Sequence, residues 1–527
     1  MARGYFALVL HAHLPFVRHP DDPTVMEERW LHEAITGSYL PLLQTFEGLV
    51  VDRVPYRCTV SLSAPLITML TDDLLKARYA EHLDTLIELA GRELERTRPE
   101  PHYHRLAQMY SDRFRSLRHT WRCHEGNLVR AFRRLQEAGW LEIITSTATH
   151  AFFPALDRNW AAMRAQVQAA ADLYEQHFGC RPKGMWLGEC GYIPGVDELV
   201  REAAIRYFFV DTHGVLFADR RPTYGAHAPV FCRTGVAAFG RDTESSHQVW
   251  SAREGYPGDP QYRDFYRDIG FDLPTDYIGP YLHPEGHRLY TGIKYHAITH
   301  GQLHDKWVYD PEAARGRAGL HAAHFRGNRV KQVEHLASTM DRPPMIVGPY
   351  DAELFGHWWY EGPIFLGDLF RQLHFDQDVI EAITPGDYLD RHPTNQVVTP
   401  CPSSWGHRGY SEFWVNESNA WTYRHLHEAG ERMVELAHRF PGAEGTTARA
   451  LNQAARELML AQSSDWPFIM RTGTTVSYAT RRFNEHILRF NRLYDELRAG
   501  QPNETWLAEI EGRDNIFPNV DYRIYAS

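Results

Sequence analysis

The sequence predicts an α/β protein: a seven-stranded (β/α) barrel interrupted by a helical insertion and followed by an all-helical C-terminal domain. Three observations carry that reading. Seven short runs are β-rich, and the near-continuously apolar ones among them suggest parallel strands buried on both faces. Each run ends in polar residues able to do chemistry, and a β/α barrel gathers its active site at the C-terminal ends of its strands. Beyond Pro400 the strand signals fade and helical periodicity takes over. A length of 527 residues leaves room for one barrel with helical accessories.

The elements follow in order. The run 5–10 ends at His11 and His13, and 56–60 ends at Ser61 and Ser63. The run 141–144 leads into Thr145, Ser146 and His150, and 184–187 leads to Glu189. Residues 207–210 end at Asp211, 236–239 lead to Arg241 and Asp242, and 345–348 end at Asp351. Residues 1–400 are thus expected to form the catalytic barrel. A helical insertion is expected at about 66–138, where Leu83, Leu86, Ile87, Ala90 and Leu94 recur at helical spacing, as do Leu106, Tyr110, Phe114, Leu117 and Trp121. A second insertion, about 212–300, is rich in Tyr, Gly, Pro and Asp and reads as loops over the site. Residues 401–527 carry further stripes, among them Met433, Leu436 and Ala437, then Phe483, Ile487, Phe490 and Leu493. A doubly wound sheet would also bind at strand ends. No glycine-rich phosphate fingerprint follows the first strand, which argues against a nucleotide-binding version.

Composition narrows the function. The net charge of −11, with no basic run, argues against a nucleic-acid partner. No apolar stretch reaches the length of a membrane-spanning helix, and the N-terminus enters a strand without the pattern of a signal peptide. The six cysteines are scattered and read as free thiols of a cytoplasmic protein.

Two carboxylates stand out. Glu189 and Asp351 each follow an apolar strand, with Trp186 beside one and Trp358 and Trp359 beside the other. Poor solvation raises a carboxylic pKa. One carboxyl kept protonated beside one kept ionised is the pair a glycosidase needs. His11 and His13 carry a rival signal, since alternating histidines at a strand end suit a metal, with Asp211, His150 or Asp351 completing the ligands. Alternatively they hydrogen-bond a substrate hydroxyl or a carboxylate. Trp30, Trp250, Trp358, Trp405, Trp414 and Trp466 are candidate stacking surfaces for sugar rings, with about half expected to face a cleft and the others to be core. Asp465 is expected either to orient a substrate hydroxyl or to cap a helix.

Five blocks, taken together, resemble a known family. They are His11-Ala12-His13-Leu14-Pro15-Phe16, Thr145 to His150, Trp186-Leu187-Gly188-Glu189-Cys190, Tyr350 to Trp359, and Ser464-Asp465-Trp466-Pro467-Phe468. In order and spacing they are similar to the conserved regions of glycoside hydrolase family 57, and most of all to its 1,4-α-glucan branching enzymes. The resemblance implies the same barrel and helical C-terminal domain, and a retaining mechanism without metal or cofactor. By position, Glu189 would be the nucleophile and Asp351 the general acid/base, with carboxyl groups about 5–5.5 Å apart. His11, His13, His150, Asp211, His357, Asp465 and the six tryptophans would bind an α-1,4-glucan such as amylose, glycogen or a maltooligosaccharide. Branching members carry a tyrosine-bearing loop over the site. The matching stretch here, Tyr224 to Ser251, is short, and Tyr224 is its only tyrosine. That leaves hydrolysis as the alternative to transfer. A metal-dependent polysaccharide deacetylase and a non-catalytic glucan-binding protein are the alternatives from other classes.

Overall fold

The computed structural model describes residues 2–251, 254–299 and 305–526. Its strands are β1 (Gly4–Ala12), β2 (Cys58–Leu62), β3 (Leu141–Ser146), β4 (Gly184–Trp186), β5 (Tyr207–Val210), β6 (Val230–Phe231), β7 (Ala237–Gly240), β8 (Met345–Asp351) and β9 (Ile380–Ala382). They lie in the order β6-β7-β5-β4-β3-β2-β1-β8, with β9 added on β1. Every pairing is parallel except β6 with β7. The sheet curls until its far strands meet: the backbone N–H of Asp242, just past β7, donates to Val347 O in β8 at 2.9 Å.

The seven runs coincide with seven of the eight parallel strands, β1–β5, β7 and β8; β9, paired parallel with β1, is the eighth. All nine residues of β1 are buried, which is why its sequence shows no alternation. Register does functional work here. His11 sits opposite Ser61 of β2 on one side and Asp351 of β8 on the other, so three sequence-distant polar residues share one rung. β6 and β9 span two and three residues, too few to leave a periodic signal.

Between β2 and β3 the chain forms helices Ala64–Thr71, Asp73–Arg96, Pro101–Cys123 and Leu128–Glu137. The second starts where the Asp72 side chain accepts from Leu75 N, a standard N-cap. Its Leu83, Leu86 and Ala90 are buried, as are Leu106, Tyr110, Phe114 and Leu117 of the next helix. β7 falls inside residues 212–300 and divides that stretch. The part after it contains the short helices Thr243–Trp250, Ile269–Asp272 and Thr275–Ile278 as well as loops.

The C-terminal region consists of helices Trp421–Arg439, Gly445–Ala461, Asp465–Thr472, Val476–Ala499 and Glu504–Arg513. It is tied to the loop after β3. Ser464 N donates to His150 O at 3.2 Å, and Ala151 bridges Ser463. Those contacts carry the start of helix Asp465–Thr472 to the C-terminal end of the sheet.

Candidate active site

The chain leaves β4 at Trp186 and turns sharply. Gly188 is pressed against the next loop so closely that a Cβ there would lie 2.5 Å from Ala151 O. Glu189 and Cys190 follow in the left-handed region, with φ of 60° and 50°. Such a conformation costs a non-glycine residue about 1–3 kcal/mol and is held by its surroundings. The turn aims the Glu189 carboxylate into a cleft of about 710 Å³ lined by His11, His13, His150, Arg241, Asp351 and Glu353 on its polar side. Trp250, Trp358, Trp405, Phe413, Trp414 and Phe468 form its aromatic walls.

Glu189 is tightly held. Trp405 Nε1–H donates to Oε2 at 2.7 Å and the Ser464 hydroxyl donates to Oε1 at 2.8 Å. Since the single Ser464 proton points at Glu189, the contact of 2.8 Å between Ser464 Oγ and His150 Nδ1 must be donated by the imidazole. His150 Nε2 is then an acceptor for His11 Nε2–H at 3.0 Å, and His11 Nδ1 accepts from Ser61 at 3.0 Å. This chain of neutral imidazoles fixes the carboxylate's orientation. Burial first, and then mutual repulsion among the histidines, lowers the pKa of His11; burial and the charge on His13 lower that of His150.

His13 behaves differently. Its Nδ1 meets Ser63 Oγ at 2.9 Å and its Nε2 meets Asp465 Oδ2 at 3.0 Å. Burial works against the imidazolium, but the charge and hydrogen bond of Asp465 outweigh it and raise the pKa. Asp465, opposed by burial and favoured by His13, is correspondingly lowered. The two form an ion pair joining the sheet to the helical region. Each of the three imidazoles has both ring nitrogens within hydrogen-bond distance of a protein partner.

The two carboxyls differ in their surroundings. Burial pushes Glu189 up to about 7, with Trp405 and Ser464 restraining the rise. Asp351 is raised well above the usual carboxylate range, by burial first and then by the charges of Glu353 and Glu189. Its side chain caps nothing at the start of the following turn. Among the described residues no donor stabilises its anion; Arg241, the opposing charge, is outweighed. Glu353, which accepts from the Tyr39 hydroxyl and from His13 N, is itself raised to about 7 by burial. The arrangement is one carboxylate held by two donors beside one proton-holding carboxyl.

The structure thus brings together Glu189, Asp351, His11, His13, His150, Trp250, Trp358, Trp405, Trp414 and Asp465 of the residues singled out in the sequence. It sets four others apart. Trp466 is fully buried with its indole N–H on Leu460 O at 2.8 Å, a core role. Trp30 packs edge-on to Tyr478 outside the cleft. His357 lines a smaller neighbouring cavity with Phe265 and Lys294. Asp211 caps its own helix through Thr212 N and faces Arg241, one step behind the cleft wall. Tyr224 lies at the opposite end of the sheet: its hydroxyl donates to Asp341, and nearby His227 O accepts from the N–H of Met345, the first residue of β8. The cleft also holds Arg241, known from the sequence only as a polar strand-end residue, and Glu353, Phe413 and Phe468, with Ser464 on Glu189. Glu353, Ser464 and Phe468 share sequence blocks with Asp351 and Asp465, the signal that points to them.

A curled parallel sheet with paired buried carboxyls at its strand ends and aromatic walls defines a carbohydrate-active enzyme of the glycoside hydrolase or transferase kind. The chain belongs to glycosyl hydrolase family 57, which it matches over residues 7–400; residues 425–525 match the C-terminal region of 1,4-alpha-glucan branching enzymes. It is 34% identical to a 1,4-alpha-glucan branching enzyme of Thermococcus kodakarensis, covering 100% of this chain and 79% of that protein. A probable 1,4-alpha-glucan branching enzyme of Mycobacterium tuberculosis is 29% identical over 99% of this chain and 98% of its own. Among solved structures, an alpha-amylase of Thermotoga maritima superimposes with a TM-score of 0.94 at 44% identity, over 100% of this chain and 99% of that one. A branching enzyme of the same family from Pyrococcus horikoshii superimposes at 0.90 with 32% identity, over 100% and 97%.

Proposed function

We propose that the protein is a retaining 1,4-α-glucan branching enzyme in which Glu189 is the nucleophile and Asp351 the general acid/base. The observation that carries the catalytic assignment is the contrast at the floor of the cleft: Glu189 receives two hydrogen bonds that stabilise its anion, whereas burial and Glu353 keep the proton on Asp351. Asp351 gives that proton to the glycosidic oxygen as Glu189 attacks the anomeric carbon. The C1–O bond breaks, the shortened glucan leaves with the proton, and the transferred chain is esterified to Glu189. Asp351 then takes the proton of an incoming 6-hydroxyl, whose oxygen attacks the same carbon and releases Glu189. The product carries an α-1,6 branch. Branching is supported by the full-length likeness to branching enzymes and by the match of residues 425–525.

The substrate on this reading is an α-1,4-glucan such as amylose, glycogen or a maltooligosaccharide, lying along Trp250, Trp358 and Trp405, with Trp414 buried behind them in the wall. We read residues 1–400 as the catalytic unit and 401–527 as a helical unit that lends Ser464 and Asp465 to it. The compartment we assign is the cytoplasm. All six cysteines are free thiols, which suits a reducing medium. Among the described residues no helix is long and apolar enough to cross a membrane.

Hydrolysis is the second reading, favoured by two observations: the likeness to an alpha-amylase at 44% identity and a TM-score of 0.94, and the remoteness of Tyr224 from the cleft, which keeps its hydroxyl from shielding the glucosyl-enzyme from water. Both readings share the covalent intermediate. An activated fluorosugar, 5-fluoro-α-glucosyl fluoride, tests it. The anomeric fluoride leaves and the expected result is one added 5-fluoroglucosyl unit on the peptide containing Glu189; an adduct on another residue, or none with steady turnover, would remove the assignment.

A further inference from the structure

A run of aromatic rings leaves the cleft at Trp358 and continues across the surface. Trp358 stacks on Phe265, with centroids 4.5 Å apart. Phe265 contacts Tyr266 at 5.3 Å and Tyr290 at 5.6 Å, and Tyr290 contacts Phe271 at 4.9 Å. The outer faces are open: Trp358 is 54% exposed, Tyr266 65% and Phe271 45%. Contiguous exposed rings of this kind mark a binding surface rather than ordinary scatter.

The strip is rigidly supported from below. The Lys294 ammonium lies 4.3 Å from the Phe265 centroid and 4.4 Å from that of Tyr290, and is also bonded to Phe265 O. Asp268 gathers the loop beneath, accepting from Gly270 N, Thr291 N, the Thr291 hydroxyl and Gly292 N at 2.7–3.0 Å. Arg29 donates to Tyr290 O at 2.9 Å. Rings fixed in this way lose little freedom when a ligand settles on them. The Arg267–Asp272 ion pair adds polar groups on the same segment as Tyr266 and Phe271.

We propose that these rings form a secondary glucan-binding strip, over which an α-1,4-glucan chain held in the cleft continues past Trp358 onto Tyr266 and Phe271. The occupant follows from continuity, since Trp358 belongs both to the cleft wall and to the strip. The strip rests on the glucan reading of the site. Its purpose is to tether long chains: a polymer held at a second place presents its scissile segment at high effective concentration.

The test compares wild type, the double variant Tyr266→Ala/Phe271→Ala and the conservative Tyr266→Phe, none of which touches the catalytic groups. Retention in amylose-containing gels reports long chains, and calorimetry with maltotetraose reports the cleft alone. The double variant is expected to bind amylose about five-fold more weakly or worse. Its maltotetraose affinity should be unchanged, and Tyr266→Phe should match wild type. Amylose retention equal to wild type would overturn the strip and leave the rings to another partner. A proportional loss of maltotetraose binding would also overturn it, by showing that the rings only support the cleft. A wild type that binds neither sugar would overturn the glucan reading, and the strip with it.

Discussion

Replacing Trp405 by phenylalanine removes one of the two donors on Glu189 while keeping an aromatic face on the cleft. The lost bond is the Nε1–H contact of 2.7 Å to Oε2. The backbone bond from Trp405 N to Glu189 O, at 2.9 Å, is untouched, so the turn carrying the carboxylate should persist. A hydrogen bond to a buried charge contributes about 1.5–3 kcal/mol. At about 1.4 kcal/mol per pH unit, its loss should raise the Glu189 pKa by about one to two units. Burial pushes that carboxyl up to about 7. The nucleophile acts as the anion, so activity falls as pH drops through this value. The acidic limb of kcat/KM, which reports the free enzyme, should therefore start near pH 7 and move upward by one to two units in the variant. The assay is kcat/KM on amylose across the pH range, with circular dichroism as the fold control. A rate that falls equally at every pH, with the limb unmoved, would refute the argument and leave Trp405 as a stacking surface alone.

Three further outcomes follow from the same geometry. Asp351→Asn should lose about 10²–10⁴ in kcat on amylose yet act far better on a fluoride, whose departure needs no proton; equal losses on both would contradict the acid role. Glu353→Gln removes the charge that, after burial, does most to raise Asp351, so the alkaline limb should shift to lower pH; an upward shift would be inconsistent with that coupling. Asp465→Asn should destabilise the protein in a pH-dependent way. The raised His13 contributes stability that is complete below about pH 6.5 and fades as pH rises through its folded value, whereas the lowered Asp465 contributes above about pH 4 and fades in acid. The variant's loss, up to about 3 kcal/mol, should thus be larger at pH 5.5 than at pH 9, and melting curves with the reverse order would refute the ion pair.

The longer parallel strands were legible because they are buried on both faces and so read as mostly apolar runs; β1, with all nine residues buried, is the clearest case. The helices of the C-terminal region were legible for the complementary reason, since half-buried helices such as Val476–Ala499 keep a 3.6-residue stripe. What sequence could not separate was a tryptophan in the wall from one in the core. Asp465 and Trp466 are adjacent, yet on a helix neighbours point about 100° apart. Asp465 therefore reaches His13 while Trp466 turns inward to Leu460 O. Tyr224 shows the same limit over a longer range. Its segment lies between two sheet strands in sequence, but β6 and its pairing carry it to the far end of the sheet. The tautomer chain from Ser61 to Glu189 depends on two strands, the turns after β3 and β4 and the start of helix Asp465–Thr472 meeting, which no local pattern encodes.

The most direct test of the central claim is incubation with amylose, following reducing ends and α-1,6 linkages together by proton NMR, with Glu189→Gln as control. A branching enzyme should give α-1,6 signals that outpace new reducing ends, and the control should form neither. Reducing ends without α-1,6 signals would contradict branching and leave the two carboxylates serving hydrolysis. Activity undiminished in Glu189→Gln would contradict the catalytic assignment itself.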